Sequence, residues 1–143
     1  MTTGVWAIIL LLSLPASHCS RSNKVRQSQP SPLGEYQYTG YDKRGNKIVE
    51  GRLSILSLES THIKGSWQLN QLGNPEKLGP QVGKGTFVGE INEDRVSINL
   101  NPEMADNNVN LTGRIDGVNF RGTWSFSGFA GEINRGTFEA RRK

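Results

Sequence analysis

The chain has 143 residues, which is the length of one domain. Hydrophobic residues make up 34% of it and glycines number 17, which argues against a core of long apolar helices and favours strands. The net charge is +4, the bases are interspersed with acids, and no nucleic-acid-binding motif is recognisable, so we predict no nucleic-acid partner.

The first eighteen residues have the pattern of an export signal. The run VWAIILLLSL is too short to cross a bilayer, which takes about twenty apolar residues, but it suits the hydrophobic region of a signal peptide. The preceding MTTG lacks the usual Lys or Arg. We predict a signal peptide over 1–18 and export to the cell envelope.

Cys19 is the only cysteine, so the chain cannot form an intramolecular disulfide. It follows the apolar run and precedes the polar stretch SRSNKVRQSQPSPLGE. This arrangement resembles a bacterial lipoprotein, whose acylated cysteine anchors a flexible tether in the lipid bilayer, although His18 stands where lipoproteins carry Gly or Ala. We expect lipidation of Cys19 and a flexible linker over 19–34; the alternative is ordinary signal cleavage and a secreted or periplasmic soluble protein.

From residue 35 onward the pattern changes to period two. Apolar and polar residues alternate in short runs separated by Gly, Asn, Asp and Pro, which is typical of strands and tight turns. Sequential hairpins that close on themselves leave no exposed edge. The sequence therefore predicts an all-β domain over 35–143, an antiparallel eight-stranded up-and-down barrel with strands at 35–41, 47–58, 62–70, 83–91, 94–100, 108–115, 117–126 and 132–141.

A four-residue theme recurs in four of these strands, as KGSW (64–67), KGTF (84–87), RGTW (121–124) and RGTF (135–138). Side chains alternate across a strand, so the glycine and the aromatic residue face inward while the base and the hydroxyl residue face outward. Inward glycines allow sharp bends and leave room for neighbouring rings. The theme therefore indicates the fold rather than an activity. We expect its outward bases to form a solvated outer wall; the alternative is a basic stripe that binds acidic glycans or lipid headgroups.

The predicted connections differ in length between the two ends of the barrel. The first, third, fifth and seventh connections are DKRGN, QLGNPEKLGPQV, NPEMADN and SGFAG, whereas the other three have only two or three residues. We call the end that carries the four longer connections the loop end, and the opposite end, which also holds both termini of the domain, the turn end. Long loops at one end of a rigid scaffold favour that end as the binding surface.

Seven residues are candidates for ligand binding at the loop end. Aromatic rings offer large flat apolar faces, which suits a small apolar or planar ligand. The competing expectation is that the rings fill the core, because eight strands enclose just enough room for side chains. The candidates are five inward aromatic residues near the loop end, Tyr38, Trp67, Phe87, Trp124 and Phe126, and two residues in its loops, Met104 and Phe129.

The exported chain, eight strands and glycine-spaced tryptophans GSW and GTW resemble the avidin and lipocalin-like group of small barrels. This resemblance implies a ligand carrier or a barrel-shaped protease inhibitor of a bacterial envelope. Lipocalins carry their Gly-x-Trp in the first strand, whereas here it falls in the third and seventh. The polar contacts that avidin makes with biotin have no counterpart on these strands, so biotin binding is not implied.

The sequence favours a protein without enzymatic activity. His62 is the only histidine after the signal peptide, and no Ser-His-Asp, Cys-His or metal-ligand set can be assembled from it. We therefore predict no cofactor. Two functions stay open: binding of a small apolar or aromatic ligand at the loop end, or a protein-protein interaction, such as protease inhibition, made by the loops of a filled barrel.

Overall fold

The computed structural model describes Met1, residues 30–116 and residues 118–143. The rest of the predicted signal peptide, Cys19 and the linker as far as residue 29 lie outside the described residues, as does Gly117 in the predicted Asp-Gly turn.

Eight strands form one closed antiparallel barrel in which each strand pairs with its neighbours in sequence and β8 pairs with β1. This confirms the predicted up-and-down barrel. A single-turn 3₁₀ helix, Gly79–Gln81, precedes the fourth strand. The strands are β1 (Gly34–Tyr41), β2 (Lys47–Glu59), β3 (His62–Gln71), β4 (Gly83–Asn92), β5 (Arg95–Asn99), β6 (Asn108–Ile115), β7 (Asn119–Gly128) and β8 (Gly131–Arg142).

The interior of the barrel is filled by its own side chains. Alternate residues of the strands are buried in one hydrophobic cluster, as the period-two pattern predicts. Burying one such side chain contributes roughly 1.5–3 kcal/mol, so this cluster is the main source of stability. Its largest fully buried members are Trp124, Tyr36, Tyr38, Phe87, Phe120 and Phe138.

The recurring theme forms two matched pairs of strands. In the β3–β4 hairpin Gly65 lies opposite Phe87 and Trp67 lies opposite Gly85. The β7–β8 hairpin repeats this arrangement, with Gly122 opposite Phe138 and Trp124 opposite Gly136. A Cβ atom on Gly85 would lie 3.0 Å from the Trp67 ring, so the absence of a side chain is what lets the ring lie across the neighbouring strand.

The two ends differ as the sequence predicts, with one exception. The turn end has the two-residue connections 60–61 and 93–94, in which Ser60 and Glu93 adopt φ of 60° and 58°. At the loop end, residues 42–46, 72–82 and 100–107 are longer connections. The predicted loop SGFAG is instead a tight turn at Phe129 and Ala130, because β7 and β8 stay paired as far as Gly128 and Gly131.

Candidate functional site

Two hairpins extend beyond their neighbours at the loop end. β5 pairs with β4 only from Val88 to Asn92. β1 pairs with β8 only from Thr137 to Arg142, and this pairing ends at Tyr36 on the turn end of β1. At the loop end, β4 and β8 therefore continue past these paired stretches, over residues 83–87 and 131–136. The loop end is thus bounded by the β3–β4 and β7–β8 hairpins, which lie four strands apart in the ring of eight.

Each projecting hairpin is attached to the next strand by a tryptophan. Nε1 of Trp67 donates a hydrogen bond of 2.8 Å to the carbonyl oxygen of Leu100, just after β5. Nε1 of Trp124 donates one of 2.8 Å to the carbonyl oxygen of Tyr41, the last residue of β1. A Cβ atom on Gly136 would lie 2.7 Å from Trp124 Nε1, so glycine is required for this bond. Both rings therefore have a structural role inside the barrel, where they join neighbouring strands.

The 42–46 connection is a rigid turn organised by Asp42. Its Oδ1 accepts hydrogen bonds from the backbone N–H groups of Arg44 (2.8 Å) and Asn46 (2.9 Å), and Oδ2 accepts one from the Asn46 side chain (2.9 Å). The bond from the Asn46 side chain is the largest of the influences that lower the pKa of this carboxyl group. This part of the loop end is held in one conformation by local bonds.

The 72–82 connection, which we call the cover segment, folds back over the loop end. Its Leu78 is only 6% exposed and its Gln81 is fully buried. Gly79 lies so close to the ring of Phe126 that a Cβ atom there would collide with the ring. Nδ2 of Asn134, on β8, donates to the carbonyl oxygens of Glu76 (3.2 Å) and Lys77 (3.3 Å). The cover segment therefore joins the β3–β4 hairpin to the β7–β8 hairpin.

Several buried polar atoms near this end and in the interior have no hydrogen-bond partner among the described residues. They are Nε2 and Oε1 of Gln81, Oδ1 of Asn108 and the hydroxyl of Tyr38. Burial raises the pKa of the Tyr38 hydroxyl, which is therefore a neutral group. Buried polar groups in proteins are nearly always hydrogen-bonded, so each of these atoms requires an explanation.

The rim of the loop end carries exposed apolar side chains. Phe129, at the tip of the β7–β8 hairpin, is 96% exposed, and Met104, in the 100–107 connection, is 47% exposed. Ile133 and Val82 are also exposed. Ile133 lies beside Gly128, whose surroundings include the carbonyl oxygen of Asp106. The 100–107 connection and the tip of the β7–β8 hairpin are therefore neighbours.

The seven residues predicted to bind ligand fall into three environments. Tyr38, Trp67, Phe87 and Trp124 are buried in the core, where Tyr38 stacks on Phe138 with ring centroids 5.5 Å apart. Phe126 is partly buried beneath the cover segment. Met104 and Phe129 lie on the rim and do not join the inward aromatic residues.

Sequence reasoning missed Leu78 and Gln81. Leu78 could have been noticed, because it is an apolar residue inside a Gly- and Pro-rich stretch. Nothing in the sequence distinguishes Gln81 from the exposed Gln68 and Gln71 nearby.

The outer wall carries paired charges of both signs. Arg121 lies 4.0 Å from a carboxylate oxygen of Asp116, and Arg135 lies 3.6 Å from one of Glu132. Exposed pairs of this kind contribute about 0–1 kcal/mol each. These pairs support the interpretation of the outward bases as ordinary surface rather than as an anion-binding stripe.

Shallow concavities lie on this outer wall. One of about 370 Å³ is lined by residues of β1–β4, among them the outward Arg52, Ser66 and Lys84 and the inward Trp67. Another of about 470 Å³ lies where Gly113 and Gly122 leave the wall thin.

Residues 30–116 and 118–143 contain no group of three His, Cys, Asp or Glu side chains placed to hold a metal ion. In the same part of the chain, we find no helix with the length and apolar character needed to cross a bilayer.

Comparison with known proteins gives one structural likeness. No family model matches the chain, and no curated protein matches it. A solved structure described as a redesigned β-barrel is similar to 78% of this chain, over 90% of its own length, with 14% sequence identity and a TM-score of 0.42.

Proposed function

We propose that this protein is an exported, lipid-anchored, non-enzymatic binding module that contacts another protein of the cell envelope through its loop end. The observation that carries this proposal is Phe129, a large aromatic side chain 96% exposed at the tip of a projecting hairpin. Aromatic residues and methionine are enriched in protein interfaces, and an exposed ring costs free energy unless something covers it.

The neighbourhood of Phe129 supports this proposal. Met104 and Ile133 add exposed apolar surface on the same rim, and the carbonyl oxygen of Asp106 lies close to Gly128. The turn at 129–130 is short, and β7 and β8 are paired up to it, so the ring is presented on a rigid element. A rigid apolar anchor loses little conformational entropy on binding, which favours affinity.

The filled interior favours this function over that of a carrier. Four of the seven residues expected to line a ligand cavity are core side chains, packed against glycines and other rings. Two of the concavities on the outer wall are lined mainly by charged and polar residues, although Trp67 also lines the larger of the two.

A second candidate function, binding of a small ligand below the cover segment, is favoured by a separate observation. The fully buried carboxamide of Gln81 has no hydrogen-bond partner among the described residues, and it lies in a segment that covers the loop end.

Site-specific crosslinking tests the first proposal. A photoreactive phenylalanine analogue replaces Phe129 in protein expressed in the cells that normally make it. The matched control places the analogue at Thr123, an outward and exposed position on β7 of the same hairpin. We expect one discrete protein adduct from position 129 and none of that mass from position 123. Equal adducts from both positions, or adducts from position 123 alone, contradict binding at the loop end.

The same proposal predicts the effect of two substitutions. The double variant Phe129→Ala and Met104→Ala should lose the adduct partner in copurification, while neutralising Lys64, Arg121 and Arg135 should leave it bound. The reverse result would assign binding to the outer wall.

A further inference from the structure

The carboxamide of Gln81 is the most unusual polar group in the described structure. The residue is fully buried, and neither Nε2 nor Oε1 has a hydrogen-bond partner among the described residues. The buried indole N–H of Trp67, in contrast, is paired to a backbone oxygen at 2.8 Å. A buried amide that keeps both a donor and an acceptor unpaired is costly, and such groups are rare in native proteins.

The surroundings of Gln81 combine polar and flat apolar surface. The 3₁₀ helix Gly79–Gln81 packs against β6, whose first residue, Asn108, has a buried Oδ1 that lacks a partner in the described chain. Gly79, at the start of the same helix, rests on the ring of Phe126. This composition, a few hydrogen-bonding groups beside an aromatic ring, is that of small-molecule sites.

The cover segment has the construction of a part that can open. Gly73 and Gly79 in the segment adopt φ of 65° and 62°, and Gly83, where β4 begins, adopts φ of 114°, all in the region that glycine occupies without strain. Lys77 adopts φ of 52°, which is strained for a residue with a side chain. Against these stand the burial of Leu78 and the two bonds from Asn134. The contact of Gly79 with the Phe126 ring and the 2.8 Å backbone bond from Leu72 to Ile48 also hold the segment in place. Opening its 78–81 part, which these side-chain contacts keep closed, would give access to Gln81.

We propose that Gln81 is the recognition group of a small-ligand site beneath the cover segment, and that the ligand carries a planar amide or lactam. A carboxamide presents a donor and an acceptor side by side, and another amide is complementary to both at once. The Phe126 ring, which Gly79 of the same 3₁₀ helix contacts, favours a flat apolar body on the ligand. This inference deepens the second candidate function above and is independent of a protein partner at the rim.

Solution NMR of the purified full-length protein, with benzamide as the probe, tests the site. We expect saturable shifts of the Gln81 side-chain Nε2 protons and the Phe126 ring protons. Ethylbenzene, which offers the ring without the amide, should leave the Gln81 protons unshifted. This comparison uses only the wild-type protein, so it does not depend on whether a variant folds.

Two matched variants complete the test. Gln81→Met keeps a long unbranched side chain but removes the amide, and it should weaken benzamide binding by about tenfold or more, as expected for a loss of 1.4 kcal/mol. Gln37→Leu, at an exposed position on β1, should bind as wild type does.

Three results would overturn the proposal: no saturable shift with benzamide, equal responses to benzamide and ethylbenzene, or undiminished binding in Gln81→Met. A Gln81 amide that shows contacts to a long-lived bound water and no response to benzamide would also overturn it, because the group would then serve hydration only. Crosslinking from position 129 reports on the protein partner separately, so the two proposals can fail independently.

Discussion

Glycine is needed in this barrel for two different physical reasons. At Gly85 the missing side chain makes room for the Trp67 ring of the neighbouring strand. At Gly113 and Gly122, which face each other across β6 and β7, a Cβ atom would collide with backbone of the adjacent strand. The first kind of conflict can relax by movement of a side chain, whereas the second requires strands to move apart. The most sensitive glycines are therefore those packed against backbone.

This distinction predicts a large effect at Gly122. In Gly122→Val the new Cβ atom would collide with the carbonyl oxygen of Thr112, so we expect a loss of unfolding free energy of at least the roughly 1–3 kcal/mol typical of overpacking. Thr123→Val, at the next, outward position, should change it by less than about 0.5 kcal/mol. Chemical denaturation of both variants measures the difference. Equal losses would show that the inward and outward faces of β7 are assigned wrongly.

The cover segment differs from an ordinary surface loop because part of it is buried against the barrel. Eleven residues connect β3 to β4 (72–82), and this stretch contains two glycines, Gly73 and Gly79, and two prolines, Pro75 and Pro80. Composition of this kind is typical of a solvated connection. Leu78 is nevertheless buried against the barrel, so the segment contributes to the core as well as connecting strands.

Truncation of Leu78 tests that contribution. Leu78→Ala removes buried methyl groups, which typically costs about 2–5 kcal/mol of unfolding free energy. Val82→Ala, at a partly exposed position in the same segment, is the matched control and should cost clearly less. Thermal unfolding followed by circular dichroism reports both values. A cost for Leu78→Ala no greater than that of the control would mean that the segment is not packed on the barrel in solution.

The strands could be predicted from the sequence because a period-two pattern reports burial locally, residue by residue. The cover segment could not, because its burial depends on Phe126 and Asn134, which are about fifty residues away along the chain. The sequence predicts a longer loop at Phe129 and Ala130, where the structure has a tight turn, and this difference also arises from contacts between segments. Gly128 and Gly131 are typical turn residues, but pairing across the hairpin extends the strands to include them.

The candidate site divides in the same way. Rim residues Met104 and Phe129 were predicted from loop position alone, and the structure places them on the surface. Gln81 could not be predicted, because its burial and its lack of hydrogen-bond partners among the described residues arise from tertiary packing.

At the scale of the whole molecule, the barrel has approximate two-fold internal symmetry. A rotation by four strands relates the β3–β4 hairpin to the β7–β8 hairpin, together with their opposed glycines and rings. The same rotation relates the bond from Trp67 to Leu100, after β5, to the bond from Trp124 to Tyr41, at the end of β1. The cover segment and the exposed Phe129 break this symmetry. The features that suggest function are therefore those that the repeated architecture does not require.

The direction of the chain into the barrel fixes the orientation expected for an anchored protein. Nη1 of Arg142, the last residue of β8, donates a 2.8 Å hydrogen bond to the carbonyl oxygen of Ser31, and the Tyr36 hydroxyl donates one of 2.7 Å to that of Pro32. The residues before β1 are therefore held at the turn end. An acyl group on Cys19 would place the turn end towards the bilayer and the loop end away from it.

Fluorescence quenching in liposomes measures this orientation. If Cys19 is acylated, it carries no free thiol, so a dye attached at Phe129→Cys or at Glu93→Cys labels the loop end or the turn end alone. We expect a quencher on the lipid headgroups to reduce the signal from position 93 more strongly than that from position 129, because the barrel separates the two ends. Cys19→Ser should leave the liposomes altogether and lose the acyl mass. Retention of Cys19→Ser on the liposomes would contradict the lipid anchor, and stronger quenching at position 129 would contradict the outward-facing loop end.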